Sequence, residues 1–186
     1  MTYNSNSICP TYFQKVDSIR NLKHSTNRIE LFLEKKNQHL NLAVYNNSKD
    51  SIFVSIEDAR LYVILEALSP ENEWKPIEYF QRSSCGNSLS SKYIDSSSAI
   101  STQSEFHTGR FRTKIRYKIL LGLENYYSNE VACSIDLNLF NISSEALKHS
   151  KYYNHLGQKI ALGFIFLDSD STKKYMNKIL SWREKK

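Results

Sequence analysis

From Arg28 to Phe140, apolar residues recur at every second position in short runs separated by Asn, Asp and Ser clusters. Side chains of a strand point alternately to its two faces, so this pattern commits the stretch to half-buried β-sheet. Ile29, Leu31 and Leu33 alternate with Arg28, Glu30 and Glu34; Leu40, Leu42 and Val44 follow, and residues 46–50 read as a turn. Further alternations run through Ile52, Val54 and Ile56, then Leu61, Val63, Leu65 and Ala67. Trp74 to Phe80 reads as a strand after the turn at Ser69–Asn72, and Pro76, which cannot donate to a ladder, places it at a sheet edge. The Ser-rich stretch 83–104 predicts one strand, Leu89 to Ile94, and a long loop. Gly109–Leu120 is the clearest strand, and Tyr126–Ser134 and Ile135–Phe140 continue the pattern.

Short strands with turn signals between them predict a mostly β chain, an antiparallel immunoglobulin-like sandwich over residues 28–140. Five Gly and three Pro are few for such a fold, so its turns lean on Asn, Asp and Ser, which hydrogen-bond their own backbone. Residues 1–27 are expected to form an N-terminal segment, with Tyr12, Phe13, Val16 and Ile19 on one side of a short helix. Residues 141–186 read as an α/β tail packed on the sandwich. A helix begins near Ser143, Lys159–Leu167 forms a buried strand, and a last helix packs through Tyr175, Met176, Ile179 and Leu180. At 186 residues the chain suits one domain with an appendage, and 40% hydrophobic with 24% charged residues is the balance of a folded protein.

In the segment GRFRTKIRYKIL, Arg110, Arg112, Lys114, Arg116 and Lys118 occupy alternate positions. One strand face would then carry a row of cations, an anion-binding surface. Were all of them to meet phosphates of duplex DNA, log affinity would fall against log salt with a slope of about −4.5. The competing reading is a face whose cations pair with acids of neighbouring strands, such as Glu30, Glu66 or Glu78. The net charge of +6 suits an anionic or protein partner. Nucleic acid is disfavoured, because no helix-turn-helix, zinc-finger or RNA-recognition signature is present.

Cys85, in Ser83–Ser88, precedes a glycine, and with Asn87 it marks a second binding candidate. A thiol there, with His107 or His149 as base, defines an alternative reading as a small cysteine-dependent enzyme, although the segment matches no recognised cysteine-protease signature. Cys85 and Cys133 are also the pair that an oxidising compartment would join, if their backbones approach closely enough. His24, His39, His107, His149 and His155 follow no metal-ligand spacing, and no Gly-rich phosphate loop exists, so neither metal nor cofactor is expected. No apolar run reaches the length of a transmembrane helix. The N-terminus lacks the basic start and apolar segment of a signal peptide, which predicts a cytoplasmic protein unless the start is processed.

Three segments taken together carry a resemblance: Trp74-Lys75-Pro76-Ile77-Glu78-Tyr79-Phe80 leading to Ser84-Cys85-Gly86-Asn87-Ser88; Gly109-Arg110-Phe111-Arg112-Thr113-Lys114-Ile115-Arg116-Tyr117; and Tyr127-Ser128-Asn129-Glu130-Val131 closing on Ser134-Ile135-Asp136 and Phe140. Over residues 38–140 the chain resembles a group of uncharacterised Bacteroidetes-type proteins with an immunoglobulin-like β domain. The resemblance implies the sandwich and the turn at Cys85-Gly86-Asn87; it implies no activity and no catalytic residue. Together these readings predict a non-enzymatic binding or structural module that uses the basic strand face, with the Cys85–Asn87 turn second.

Overall fold

The alternation seen in the sequence becomes antiparallel sheet. A computed structural model describes residues 28–183 except Ser84; the helix expected around Tyr12–Ile19 lies outside these residues. Strands β1 (Ile29–Lys36) and β2 (His39–Asn46) form a hairpin, turned at Asn37 with φ 57°. Then come β3 (Ile52–Glu57), β4 (Arg60–Leu61), β5 (Val63–Leu68), β6 (Trp74–Pro76), β7 (Leu89–Ile94), β8 (Ala99–Glu105), β9 (Phe111–Leu121), β10 (Glu124–Tyr127) and β11 (Val131–Ile135). A first sheet runs β1-β2-β8, and a third runs β4-β3-β7. The central sheet runs β10-β9-β5-β6, with β11 also pairing β9. β9 is long enough to hold β10 along Lys118–Leu121 and β11 along Phe111–Ile115, while β5 pairs with it at Ile115–Ile119.

The core follows from this register. Leu31, Leu33, Leu40, Leu42 and Val44 of the first sheet share one buried cluster with Val63, Leu65, Ala67, Ile115, Tyr117 and Ile119 of the central sheet. Each fully buried Leu or Ile contributes about 1.5–3 kcal/mol, so this seam dominates the stability of the β domain. The opposite face of the central sheet is apolar at one end only. There Ile64 and Leu120 join Tyr62, Phe80 and Leu167, with Phe166 packed alongside.

Every regular element of the tail among the described residues is helical. Ser143 caps α1 (Ser144–Ser150), its Oγ accepting the Ala146 amide at 3.1 Å. A 3₁₀ stretch, Lys151–Leu156, leads to α2 (Gln158–Ile165) and α3 (Ser169–Arg183). The strand expected at Lys159–Leu167 is therefore corrected to a helix. A short, near-continuous apolar run has no readable period, and packing decides it: Ala161, Phe164 and Ile165 are buried at helical spacing. In α3, Tyr175 stacks on Phe164 with centroids 4.1 Å apart, and Ile179 is half-buried. Met176 and Leu180 stay 42% and 49% exposed, so only part of the expected apolar stripe is packed.

Five strand assignments also change, one of them the expected Tyr126–Ser134 run, which breaks at residues 128–130 into β10 and β11. The expected strand from Leu61 to Ala67 breaks at Tyr62 into β4 and β5, which join different sheets. The Trp74–Phe80 strand stops at Pro76, at the sheet edge where that proline belongs. Residues assigned to a long loop form β8, whose buried positions include Thr102 and Ser104; the Ser104 hydroxyl pairs with that of Tyr117. Polar residues facing inward hid this strand. Residues after Ile135 leave the sheet for a 3₁₀ turn, Leu137–Phe140, capped by the Asp136 carboxylate on the Asn138 amide.

Gly163 sits where α2 and α3 touch: a Cβ built there would collide with the Ser171 side chain. In an exposed helix Gly→Ala gains about 1 kcal/mol. Here Gly163→Ala is expected to lower the melting temperature, and adding Ser171→Gly to the same chain should recover it, as thermal unfolding would show.

Candidate functional site

The alternating cations of β9 are placed by the sheet and then divided by their neighbours. Arg112, Lys114, Arg116 and Lys118 lie on one face of the strand, and Arg110 precedes it. Glu66 of β5 stands directly opposite Arg116 in the register. Its Oε2 accepts Arg116 Nε at 3.0 Å and Nη2 at 2.9 Å, and its Oε1 lies 3.0 Å from Lys118 Nζ. Glu66 is 4% exposed and Lys118 7%, so one buried carboxylate holds two cations of the stripe. The Arg116 guanidinium lies between the rings of Trp74 and Tyr127, at 4.2 and 4.1 Å. Trp74 thus braces Arg116 rather than anchoring the core. Lys114 pairs with Glu130 at 2.8 Å in a solvent-exposed bridge, a kind worth about 0–1 kcal/mol.

Of the other acids expected as partners, Glu30 accepts from Asn47, and Glu78 holds His107 at 3.0 Å and accepts the Leu65 amide at 3.1 Å. Residues 28–140 as a whole carry 13 Lys and Arg against 14 Asp and Glu. The positive excess therefore lies outside the β domain.

Arg112 has no acid partner among the described residues, and the fold gives it a second cation. β1 brings Lys35 to the same shallow hollow, of about 560 Å³, which is also lined by Thr108, Thr113, Cys133 and Ser134. Lys35 Nζ sits 3.7 Å over the Phe106 ring and also makes no ion pair among the described residues. Gly109 forms part of this wall, because β8–β9 crosses so close to Ile135 that any Cβ would strike its backbone. Lys35, Thr108 and Ser134 escape sequence reading: they come from three separate segments, and only the sheet register joins them to Arg112.

Cys85 and Asn87 stand apart from this hollow. Cys85 is exposed and precedes the 3₁₀ turn Gly86–Ser88, which is held by the Ser88 amide on the Cys85 carbonyl (3.1 Å) and by the Ser83 and Ser88 hydroxyls (2.8 Å). Cys85 and Cys133 are both free thiols. Burial pushes the Cys133 thiol up to about 11 against the pull of Lys35. Neither proposed base is idle. His107 is engaged by Glu78, and His149 Nε2 accepts the Arg82 amide at 2.9 Å. Burial, with the charges of Arg82 and Arg60, lowers the His149 pKa and favours the neutral ring that this bond requires.

That last contact belongs to a structural knot. The buried Arg82 guanidinium lies 3.8 Å over Phe164 and 4.5 Å over Tyr62, and 3.7 Å from Glu57, which also accepts the Tyr62 hydroxyl at 2.9 Å and the Ser83 amide. It ties β3, the β4–β5 junction and the segment after Phe80 to α1 and α2.

Among the described residues, no group of three or more His, Cys, Asp and Glu side chains is arranged to hold a metal ion, and no helix is long and apolar enough to cross a membrane. No family model matches the chain, and no curated protein matches it.

Removing one member of a buried charge cluster leaves the others uncompensated and costs about 3–5 kcal/mol. Glu66→Gln is expected to destabilise the fold by that amount in urea unfolding, whereas Glu130→Gln, which breaks only the exposed bridge to Lys114, should cost no more than about 1 kcal/mol.

Proposed function

We propose that this chain is a non-enzymatic binding module on an immunoglobulin-like sandwich, taking an anionic group of its partner at the Lys35–Arg112 hollow. Kinship with the uncharacterised Bacteroidetes-type group belongs to the same proposal and speaks for the sandwich rather than for an activity. The observation that carries the site is the sharing of one hollow by two cations without acid partners among the described residues, beside the hydroxyls of Thr108, Thr113 and Ser134. A phosphate, sulfate or carboxylate there would gain two charge-assisted contacts, with the Thr108 and Ser134 hydroxyls as neutral donors, the Thr113 hydroxyl being already given to the Leu68 carbonyl. Arg116 and Lys118, already held by Glu66, contribute to architecture. With two cations in place of the full row, the expected salt slope on duplex DNA falls to about −1.8, which favours a single anionic group over a polyanion.

Calorimetric titration with inorganic phosphate tests this reading. Wild type is expected to bind, more weakly as salt rises, and the Lys35→Glu/Arg112→Glu variant should lose at least about tenfold in affinity, or 1.4 kcal/mol. Lys114→Glu should retain binding. Equal binding by the double variant, or equal loss in Lys114→Glu, would overturn the assignment.

A further inference from the structure

A deeper cleft opens on the other side of the β8–β9 connector. It lies between that connector, the edge strand β6 with the residues after it, and the 3₁₀ turn that leads into α1. Its volume is about 730 Å³, within the range of roughly 300–1,000 Å³ that small-molecule sites occupy. Ile77, Phe106, Leu139, Phe140, Ile142 and Phe166 supply an apolar lining. The charged lining is unbalanced: Glu78, Glu105, Asp136 and Glu145 stand against Lys75 and His107. Lys75 is taken by Glu71 at 2.8 Å and Glu73 at 3.5 Å, and His107 by Glu78. Glu105, Asp136 and Glu145 are exposed and make no ion pair among the described residues. Among the described residues, the Asp136 and Glu145 carboxylates accept only from the Asn138 amide and the Ser144 hydroxyl respectively.

We propose that this cleft binds a small organic cation, an ammonium group on an alkyl or aryl body. The body covers the apolar lining, and the ammonium meets the unpaired carboxylates. Two neighbouring groups register the field of those acids. Burial raises the Tyr79 phenol and the Glu145 charge adds to it. At His107 burial opposes the charged ring, and the Glu78 hydrogen bond with the charges of Glu78 and Glu105 overcomes it, raising its pKa. The geometry also separates this site from the anion hollow. The two share Phe106 and Thr108 as a common wall, with acids on one side and Lys35 and Arg112 on the other.

The test is a titration of the full chain followed by NMR, using 2-phenylethylammonium, with 2-phenylethanol and 3-phenylpropionate as neutral and anionic analogues. The ammonium is expected to bind with shifts at Ile77, Phe106, Leu139 and Phe140, and the two analogues to bind at least about tenfold more weakly. The Glu105→Gln/Glu145→Gln variant, checked for folding by circular dichroism, should lose a similar factor for the ammonium and nothing for the alcohol. Equal affinity for all three probes, undiminished ammonium binding by the variant, or binding of a lysine-rich peptide without the small ammonium would overturn the proposal. The analogue series on wild type decides the matter even if the variant misfolds.

Discussion

The carboxylate of Glu66 is the interaction on which the rest of the arrangement depends. A strand bearing cations at every second position cannot be covered on that face unless the charges are answered, and β5 supplies the answer directly opposite Arg116. With Arg116 and Lys118 neutralised, the same face can turn apolar at Leu120 and accept Phe166 and Leu167 from the loop joining α2 and α3. The central sheet is then covered by the first sheet on one side and, at this end, by the tail on the other. Desolvation of such a cluster can match its Coulomb gain, so its value lies in fixing the β5–β9 register as much as in net stability. A slip of one residue would bury the remaining cations and expose Ile115, Tyr117 and Ile119.

A second polar knot performs the same service for the tail. Arg82 and Glu57 are buried together; Glu57 accepts from Tyr62 and Ser83, and Arg82 Nη2 donates to the Phe164 carbonyl, while Arg82 Nε has no hydrogen-bond partner among the described residues. Aromatic packing around it, from Tyr153 to Phe164 and Tyr175, joins the helices to one another. The free ends of the structure are where these clusters stop. Arg112 and Lys35 lie beyond the reach of Glu66 on one side of the β8–β9 connector, and the cleft's acids that make no ion pair among the described residues lie on the other.

How much of this was legible in the sequence depends on whether a local period carried the information. The strands through Leu31–Leu33, Leu40–Val44 and Ile115–Ile119 show in the alternation because one face is buried and the other wet. The helix start at Ser143 shows because a capping hydroxyl is a local device. β8 did not, since Thr102 and Ser104 point inward where apolar residues were expected. The Lys159–Leu167 run is apolar on all sides, so only tertiary packing could choose helix over strand. The β9 stripe was plain, and Glu66 was among the acids named to answer it. The partition into held and free cations was not legible, because it depends on which residue of β5 faces Arg116. Nothing in the sequence joined Lys35 or Ser134 to Arg112, since β1 and β11 meet the connector only in the folded sheets.

The stripe is divided: Glu66 holds Arg116 and Lys118, while Arg112 makes no ion pair among the described residues. Nitrogen-15 NMR of the arginine Nε and lysine Nζ groups, read as hydrogen exchange at neutral pH, addresses this division directly. Slow exchange is expected at Arg116 Nε and Lys118 Nζ, and fast exchange at Arg110, Arg112 and Lys114. Uniformly fast exchange along the whole row would contradict it and return the stripe to solvent as one continuous cationic face.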